Sequence, residues 1–144
     1  MGRLLARRIS RVFSELGYYT IICLGQSNGV DLKVFDKNLN LIIVAEILNW
    51  GPTSNLDANQ KSDIINNLSK YDCNRVLIYT TMGNEYTLED LAANCIATVK
   101  VGYQILAKYY FYQWDEKKRY GRKVDSRETN ALLKLKLTQY LELV

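Results

Sequence analysis

Histidine is absent from this chain, and its absence removes whole classes of chemistry. Without it there is no Ser-His-Asp or Cys-His hydrolysis, no imidazole general base and almost none of the usual catalytic zinc geometries. Any hydrolysis must rest on carboxylates, lysines, tyrosines or a hard metal ion. Cysteine is scarce too. Cys23, Cys73 and Cys95 are odd in number and far apart, with no CxxC pair, so neither a disulfide framework nor a zinc knuckle is indicated. Each lies in or beside an apolar run and is expected to act as a small buried hydrophobe. No stretch approaches the ~18–20 apolar residues that a membrane span requires. The basic opening MGRLLARRISRVF has helically spaced apolar residues and no small-residue cleavage site, which argues against a signal peptide. An intracellular, cytoplasmic protein without membrane contact is therefore expected.

What is present is ordinary in amount and uneven in placement. The 144 residues are 48% hydrophobic and 24% charged, enough for one core without staples. No repeat, linker or low-complexity tract divides them, so one domain over 1–144 with a helical C-terminal segment is expected. The net charge of +4 is modest, but Arg3, Arg7, Arg8 and Arg11 all precede the first acid, Glu15. A second cluster, Lys117, Lys118, Arg119, Arg122 and Lys123, lies near the C-terminal helix. Two separated basic clusters suit phosphate binding; a solvated helix face is the alternative.

Along the chain, Leu5, Ile9, Val12, Phe13 and Leu16 follow helical spacing over 3–16, with Arg3, Arg7 and Arg11 forming a ridge. Gly17 supplies a stop. The β-branched and aromatic run 18–24 predicts a strand, and GQSNG at 25–29 a turn. Strands at 30–35 and 41–48 predict a hairpin, the second apolar on both faces as a central strand is. A helix follows over 54–71, with Ile64, Ile65, Leu68 and Tyr71 as its apolar stripe, then a strand at 75–81, a short helix at 88–93 and a strand at 97–105. The remainder from 108 predicts two helical stretches separated near Tyr120-Gly121, the last with Leu133, Leu137, Tyr140 and Leu141 on one face. The expected fold is α/β, a central mixed β-sheet flanked by helices, in the order α-β-β-β-α-β-α-β-α-α.

The hairpin carries the chemistry. With its turn centred on Asn38-Leu39, Phe35 faces Ile42, Lys33 faces Val44 and Asp31 faces Glu46. Like charges directly opposite are unfavourable, and in apolar surroundings one carboxyl must be protonated or both must share a cation. Mg²⁺, which takes hard oxygen ligands and keeps several waters, suits such a pair. The alternative is structural: one acid points to solvent or pairs with Lys33 or Lys61.

A basic helix, a strand, Gly29-Val30-Asp31, a hairpin, and Ala45-Glu46-Ile47-Leu48-Asn49-Trp50 together resemble the core of the PD-(D/E)xK, or restriction-endonuclease-like, nuclease superfamily. The likeness covers roughly 3–81 and is closest to archaeal Holliday-junction-resolvase-like members and related archaeal or viral proteins. It implies that Asp31 and Glu46 bind Mg²⁺ or Mn²⁺ and that the partner is DNA, branched DNA included. The family's lysine two residues after the glutamate orients or activates the attacking water; here that position is Leu48. Lys33, on the strand face of Asp31, and Lys61, on the following helix, are the candidate replacements, so the catalytic set implied is Asp31, Glu46, Lys33 and Lys61. Some members add a glutamate on the first helix; here Arg7-Arg8 occupy that turn, and the helix's only acid is Glu15. The implied activity is a metal-dependent endonuclease or resolvase-like phosphodiesterase. The alternatives are a catalytically silent relative that binds DNA or assembles as a homodimer, and a basic dimeric scaffold whose acids are structural.

The eleven tyrosines are concentrated late. Tyr109, Tyr110, Tyr112, Trp114 and Tyr120 crowd beside the second basic cluster. Aromatics among cations can stack on bases, and they equally suit a packing edge or a homodimer surface, the reading preferred from sequence. Gln104 either lines the site or bonds the backbone.

Overall fold

The architecture is that of a computed structural model, which describes residues 2–23 and 29–144. Helix α1 (Gly2–Glu15) buries Leu5, Ala6, Ile9, Val12 and Phe13, the face its sequence spacing predicts. It ends where Gly17 turns to a positive φ of 95°. There the Tyr18 N–H reaches the Phe13 carbonyl and the Gly17 N–H that of Ser14, a paired closure that favours glycine.

Strand β1 (Tyr19–Ile22) pairs with β2 (Leu32–Phe35), and β2 with β3 (Leu41–Leu48), both antiparallel. Leu24 of the expected first strand, and the expected turn GQSNG apart from Gly29, lie outside the described residues. Lys33 does face Val44, but the expected pairing of Phe35 with Ile42 is corrected: a bulge after Val34 sets Phe35 opposite Leu41. The turn accounts for it. The Asp36 carboxylate accepts the N–H groups of Asn38 and Asn40 at 2.9 and 3.0 Å, and Leu39 sits at a φ of 64°. This tight Asx-type turn absorbs one residue.

Helix α2 (Ala58–Ser69) starts at Asp57, whose side chain and that of Gln60 form a reciprocal capping box. It carries the chain across to β4 (Asn74–Tyr79), parallel to β3. A 3₁₀ turn (Glu85–Leu88) and α3 (Glu89–Ala93) lead to β5 (Ile96–Lys100), parallel to β4. The mixed sheet is therefore ordered β1-β2-β3-β4-β5. One of its faces packs against α1 and α4 (Ser126–Leu141), the other against α2 and α3.

Two expectations fail in the C-terminal third. The predicted strand over 97–105 is broken at Gly102, which takes a φ of 94°, and its second part begins a separate sheet. The predicted helical stretch from 108 to 120 is instead strand and turn. Strands β6 (Gln104–Ala107), β7 (Tyr110–Trp114) and β8 (Gly121–Val124) form an antiparallel sheet in that order. Within YFYQW, a run of high β propensity, Phe111 alone is buried while Tyr110, Tyr112, Gln113 and Trp114 are exposed or half-buried. Ile105, Phe111 and Val124 join the core beneath α1 and α4. The final helix is as predicted, with Leu133, Leu137 and Tyr140 buried and Leu141 packed beside them. Among the described residues no helix is long and apolar enough to cross a membrane. Of the cysteines only Cys23 is buried; Cys73 is half-buried and Cys95 exposed.

The two sheets are tied at one buried side chain. The Asn49 amide donates to the Ile105 carbonyl at 2.7 Å and its oxygen accepts the Ile105 N–H at 3.0 Å, as a neighbouring strand would. Asn49→Ala leaves both Ile105 groups buried without these partners, and each costs about 1–3 kcal/mol. Chemical denaturation of the variant is expected to show a loss of about 2–6 kcal/mol.

Candidate metal centre at the carboxylate pair

Asp31 and Glu46 meet as the hairpin register requires. The Asp31 N–H donates to the Ala45 carbonyl at 2.9 Å, extending the ladder that pairs Leu32 with Ala45. Asp31 Oδ2 accepts the Ile47 N–H at 2.8 Å, which turns its carboxyl toward β3, and the Asp31 and Glu46 carboxyls hydrogen-bond to each other. Glu46 cannot turn away from this contact, because β3 is covered on both faces and Glu46 is only 8% exposed.

Burial dominates the protonation of the pair. Loss of water around Glu46, then the charge and hydrogen bond of Asp31, push its pKa up to about 8, against a small opposing effect of Asn67. Burial also raises Asp31, opposed by its bonds to Ile47 and Glu46. At neutral pH the pair therefore holds a proton between two oxygens.

A neighbour not anticipated from sequence completes the site. Asn67 Nδ2, on α2, donates to Glu46 Oε1 at 3.3 Å. The signal was present: Asn67 lies three residues after Ile64 and four before Tyr71, both in the apolar stripe, so the α2 face that packs on β3 carries it. Leu48 lies two residues beyond Glu46 and packs with the core on the α2 side.

The candidate lysines are occupied elsewhere. Lys61 Nζ pairs with Asp90 at 2.9 Å, and Lys33 Nζ sits 5.3 Å from the centre of the Tyr71 ring. None of the ion pairs among the described residues involves Asp31 or Glu46. Nor does Glu15 reach the pair. Gly2 lies beside the Ile47 carbonyl, whereas Glu15 is at the far end of α1, about 20 Å along the helix at 1.5 Å per residue.

Chemically the site is a set of hard oxygen donors, two carboxyls and a nearby amide, which fits a divalent ion such as Mg²⁺ or Mn²⁺ that keeps several waters. Among the described residues no third acid or thiol joins them to make a larger cluster.

The basic clusters are only partly free. On α1, Arg3, Arg7 and Arg11 are exposed, but Arg8 turns inward. It donates to Thr129 Oγ1 at 2.9 Å and to Asn130 Oδ1 at 2.5 Å, and its guanidinium lies 4.4 Å from the centre of the Phe111 ring. It pins α1 to α4 and β7. In the second cluster Lys118 pairs with Glu85 at 3.1 Å, Arg119 with Asp115 at 3.8 Å and Arg122 with Glu128 at 3.0 Å. Lys117 is exposed and Lys123 stands over Tyr110. The Gln104 side chain is used inside the second sheet, where its Oε1 accepts the Trp114 indole N–H at 3.3 Å.

Glu46 carries a pH signature. Its pKa of about 8 in the fold exceeds the ordinary 4.5, so the folded state holds a proton that the unfolded chain releases. The stabilisation from that proton is fully present below pH 4.5 and is lost as pH rises through about 8. Thermal unfolding without divalent ions is expected to show a midpoint falling between pH 5 and 9, with most of that fall absent in Glu46→Gln.

Compared with known proteins, the chain matches no family model, no curated protein and no solved structure.

Proposed function

We propose that this protein acts on DNA as a PD-(D/E)xK-like, metal-dependent phosphodiesterase of endonuclease or resolvase type, built on a restriction-endonuclease-like fold. The observation that carries the reading is the hydrogen-bonded Asp31–Glu46 pair, with Glu46 buried and Asp31 half-buried, which has no cationic side chain in ion-pair contact among the described residues. Asp31 and Glu46 would hold Mg²⁺ or Mn²⁺, with Asn67 orienting Glu46. The ion, when bound, would activate a water and polarise a phosphate oxygen. Arg3, Arg7 and Arg11 would contact the DNA backbone, with Lys117 and Lys123 from the second cluster. A symmetric homodimer would present two such sites to a branched duplex.

The second reading is a silent relative that binds DNA without cutting it. Leu48 at the lysine position supports it, as do the engagement of Lys61 with Asp90 and of Lys33 with Tyr71. Lys33 is the better candidate, since it shares the strand face of Asp31 and only a weak contact with Tyr71 holds it.

A single series of assays separates the two. In manganese, the wild type is expected to nick linear or branched DNA, and Glu46→Gln to abolish the activity without loss of fold. Lys33→Ala should reduce it strongly if Lys33 serves. Leu48→Lys, which restores the motif, should raise the rate about a hundredfold, the range of a positioned proton-transfer group. No cleavage by either the wild type or Leu48→Lys, with DNA binding retained, would decide for the silent relative.

Metal binding must displace the proton on Glu46. Titration calorimetry with Mn²⁺ is therefore expected to show affinity rising about tenfold per pH unit below pH 8 and levelling above it. Affinity independent of pH, or unchanged in Asp31→Asn, would place the ion elsewhere.

A further inference from the structure

The three-stranded sheet turns Ile105, Phe111 and Val124 into the core, so strand alternation puts Tyr110, Tyr112 and Trp114 on its other face. The Tyr110 and Tyr112 rings are parallel to within 8°, their centres 6.2 Å apart, and Trp114 meets Tyr112 at 4.9 Å. These rings are held in place. Tyr112 leans across Gly121, where any side chain would collide with it, and its hydroxyl donates to the Gly121 carbonyl at 2.9 Å. Trp114 is fixed by Gln104. All three nevertheless remain exposed or half-buried.

Cations frame this aromatic row. Lys123 Nζ stands 5.1 Å from the centre of the Tyr110 ring. Just before Tyr110, Tyr109 is 77% exposed with Lys108 Nζ 5.3 Å from its ring centre. Lys108 and Tyr109 share a cleft of about 310 Å³ with Arg7 and Arg11 of α1. At the other end of β7, Trp114, Tyr120 and Arg122 border a second hollow of about 360 Å³. None of the ion pairs among the described residues involves Arg7, Arg11, Lys108 or Lys123.

We propose that this face binds a single strand of nucleic acid, its bases stacking on the β7 aromatics and its phosphates held by Lys123 on the same face and, where the strand passes the β6–β7 turn, by Lys108 with Arg7 and Arg11 of the adjoining cleft. Immobilised rings beside cations free of carboxylates are the combination that single strands use, because only an unpaired base offers its flat face. A duplex hides those faces and would need the cations alone. A second copy of this chain is a poorer occupant: a two-fold contact sets this surface against itself and opposes its unpaired cations to one another. The inference rests on the proposed reading in taking the polyanion to be nucleic acid, but it uses no residue of the carboxylate pair. The Asn49–Ile105 bonds hold the two surfaces in a fixed relation.

The test is binding by fluorescence anisotropy in EDTA, where metal-dependent cleavage is silent, using labelled oligothymidylate and a duplex of equal length. The full chain is expected to bind the single strand more tightly than the duplex. Tyr110→Ala and Tyr112→Ala should each weaken single-strand binding about tenfold or more. Arg7→Ala with Arg11→Ala should reduce the slope of log affinity against log salt by about 1.4, at about 0.7 per phosphate contact. Lys108→Glu and Lys123→Glu, both at exposed positions, cover the case in which a ring substitution unfolds the protein. Equal or tighter duplex binding, or affinity indifferent to all these changes, overturns the proposal. Self-association in sedimentation that is lost in Tyr109→Ala and Tyr110→Ala would assign the face to a homodimer and overturn it too. Loss of metal-dependent cleavage with single-strand binding intact would sink only the nuclease reading. Cleavage that ignores every aromatic variant, with no single-strand preference, would sink only this one.

Discussion

Strand β3 is hydrogen-bonded on both edges and packed on both faces, by α1 and the second sheet on one side and by α2 on the other. Every polar side chain in it must find a partner inside the protein, because water cannot supply one. Glu46 is the residue on which this constraint falls. Asp31 reaches it from the neighbouring strand and Asn67 from the covering helix. Asp31 is itself steadied by the Ile47 N–H, so the pair is anchored by backbone and does not depend on long flexible side chains. The strand's end obeys the same rule: Asn49 is buried and takes its bonds from Ile105. One constraint thus sets both the acid pair and the placement of the second sheet.

Much of this could be read from the sequence where one period dominated. The run 41–48 announced a two-faced strand, the α1 stripe was regular, and the hairpin register from Asp31 to Val34 followed from the turn position. The register failed only at Phe35, where Asp36 tightens the turn and a bulge takes up one residue. Reading 108–120 as helix failed for a different reason. Lys, Tyr and Gln permit either period, and the partners of Phe111, namely Tyr103, Val124 and, from the first helix, Arg8, all lie outside the run itself. Tertiary packing decided what local pattern left open.

Side-chain roles were less legible than backbone. Arg8 belongs by sequence to a cationic ridge, yet α4 supplies Thr129 and Asn130 and draws it inward. Lys61 sits at a helix start, as a migrated catalytic lysine could, but α3 brings Asp90 within reach. Both outcomes depend on elements more than 25 residues away in the chain, which no local spacing encodes. Asn67 is the converse case: its place on the α2 stripe is local and readable, and only its partner Glu46, on another element, is not.

Leucine at position 48, where the proposed reading expects a lysine, is first a matter of electrostatics. A lysine near two ionised carboxylates offsets negative charge that would otherwise repel an approaching phosphate, besides any part in proton transfer. Here Glu46 holds a proton up to about pH 8, so at neutral pH the pair carries less than its full two negative charges. A divalent ion displacing that proton would bring two positive charges against two carboxylates, so the occupied site would be close to neutral and would draw phosphate by coordination to the ion. The ion alone would thus remove the carboxylates' repulsion of phosphate at the proposed site, whereas proton transfer to or from the attacking water still lacks a dedicated group. Leu48 bears on the rate of the proposed reaction more than on the holding of metal or substrate.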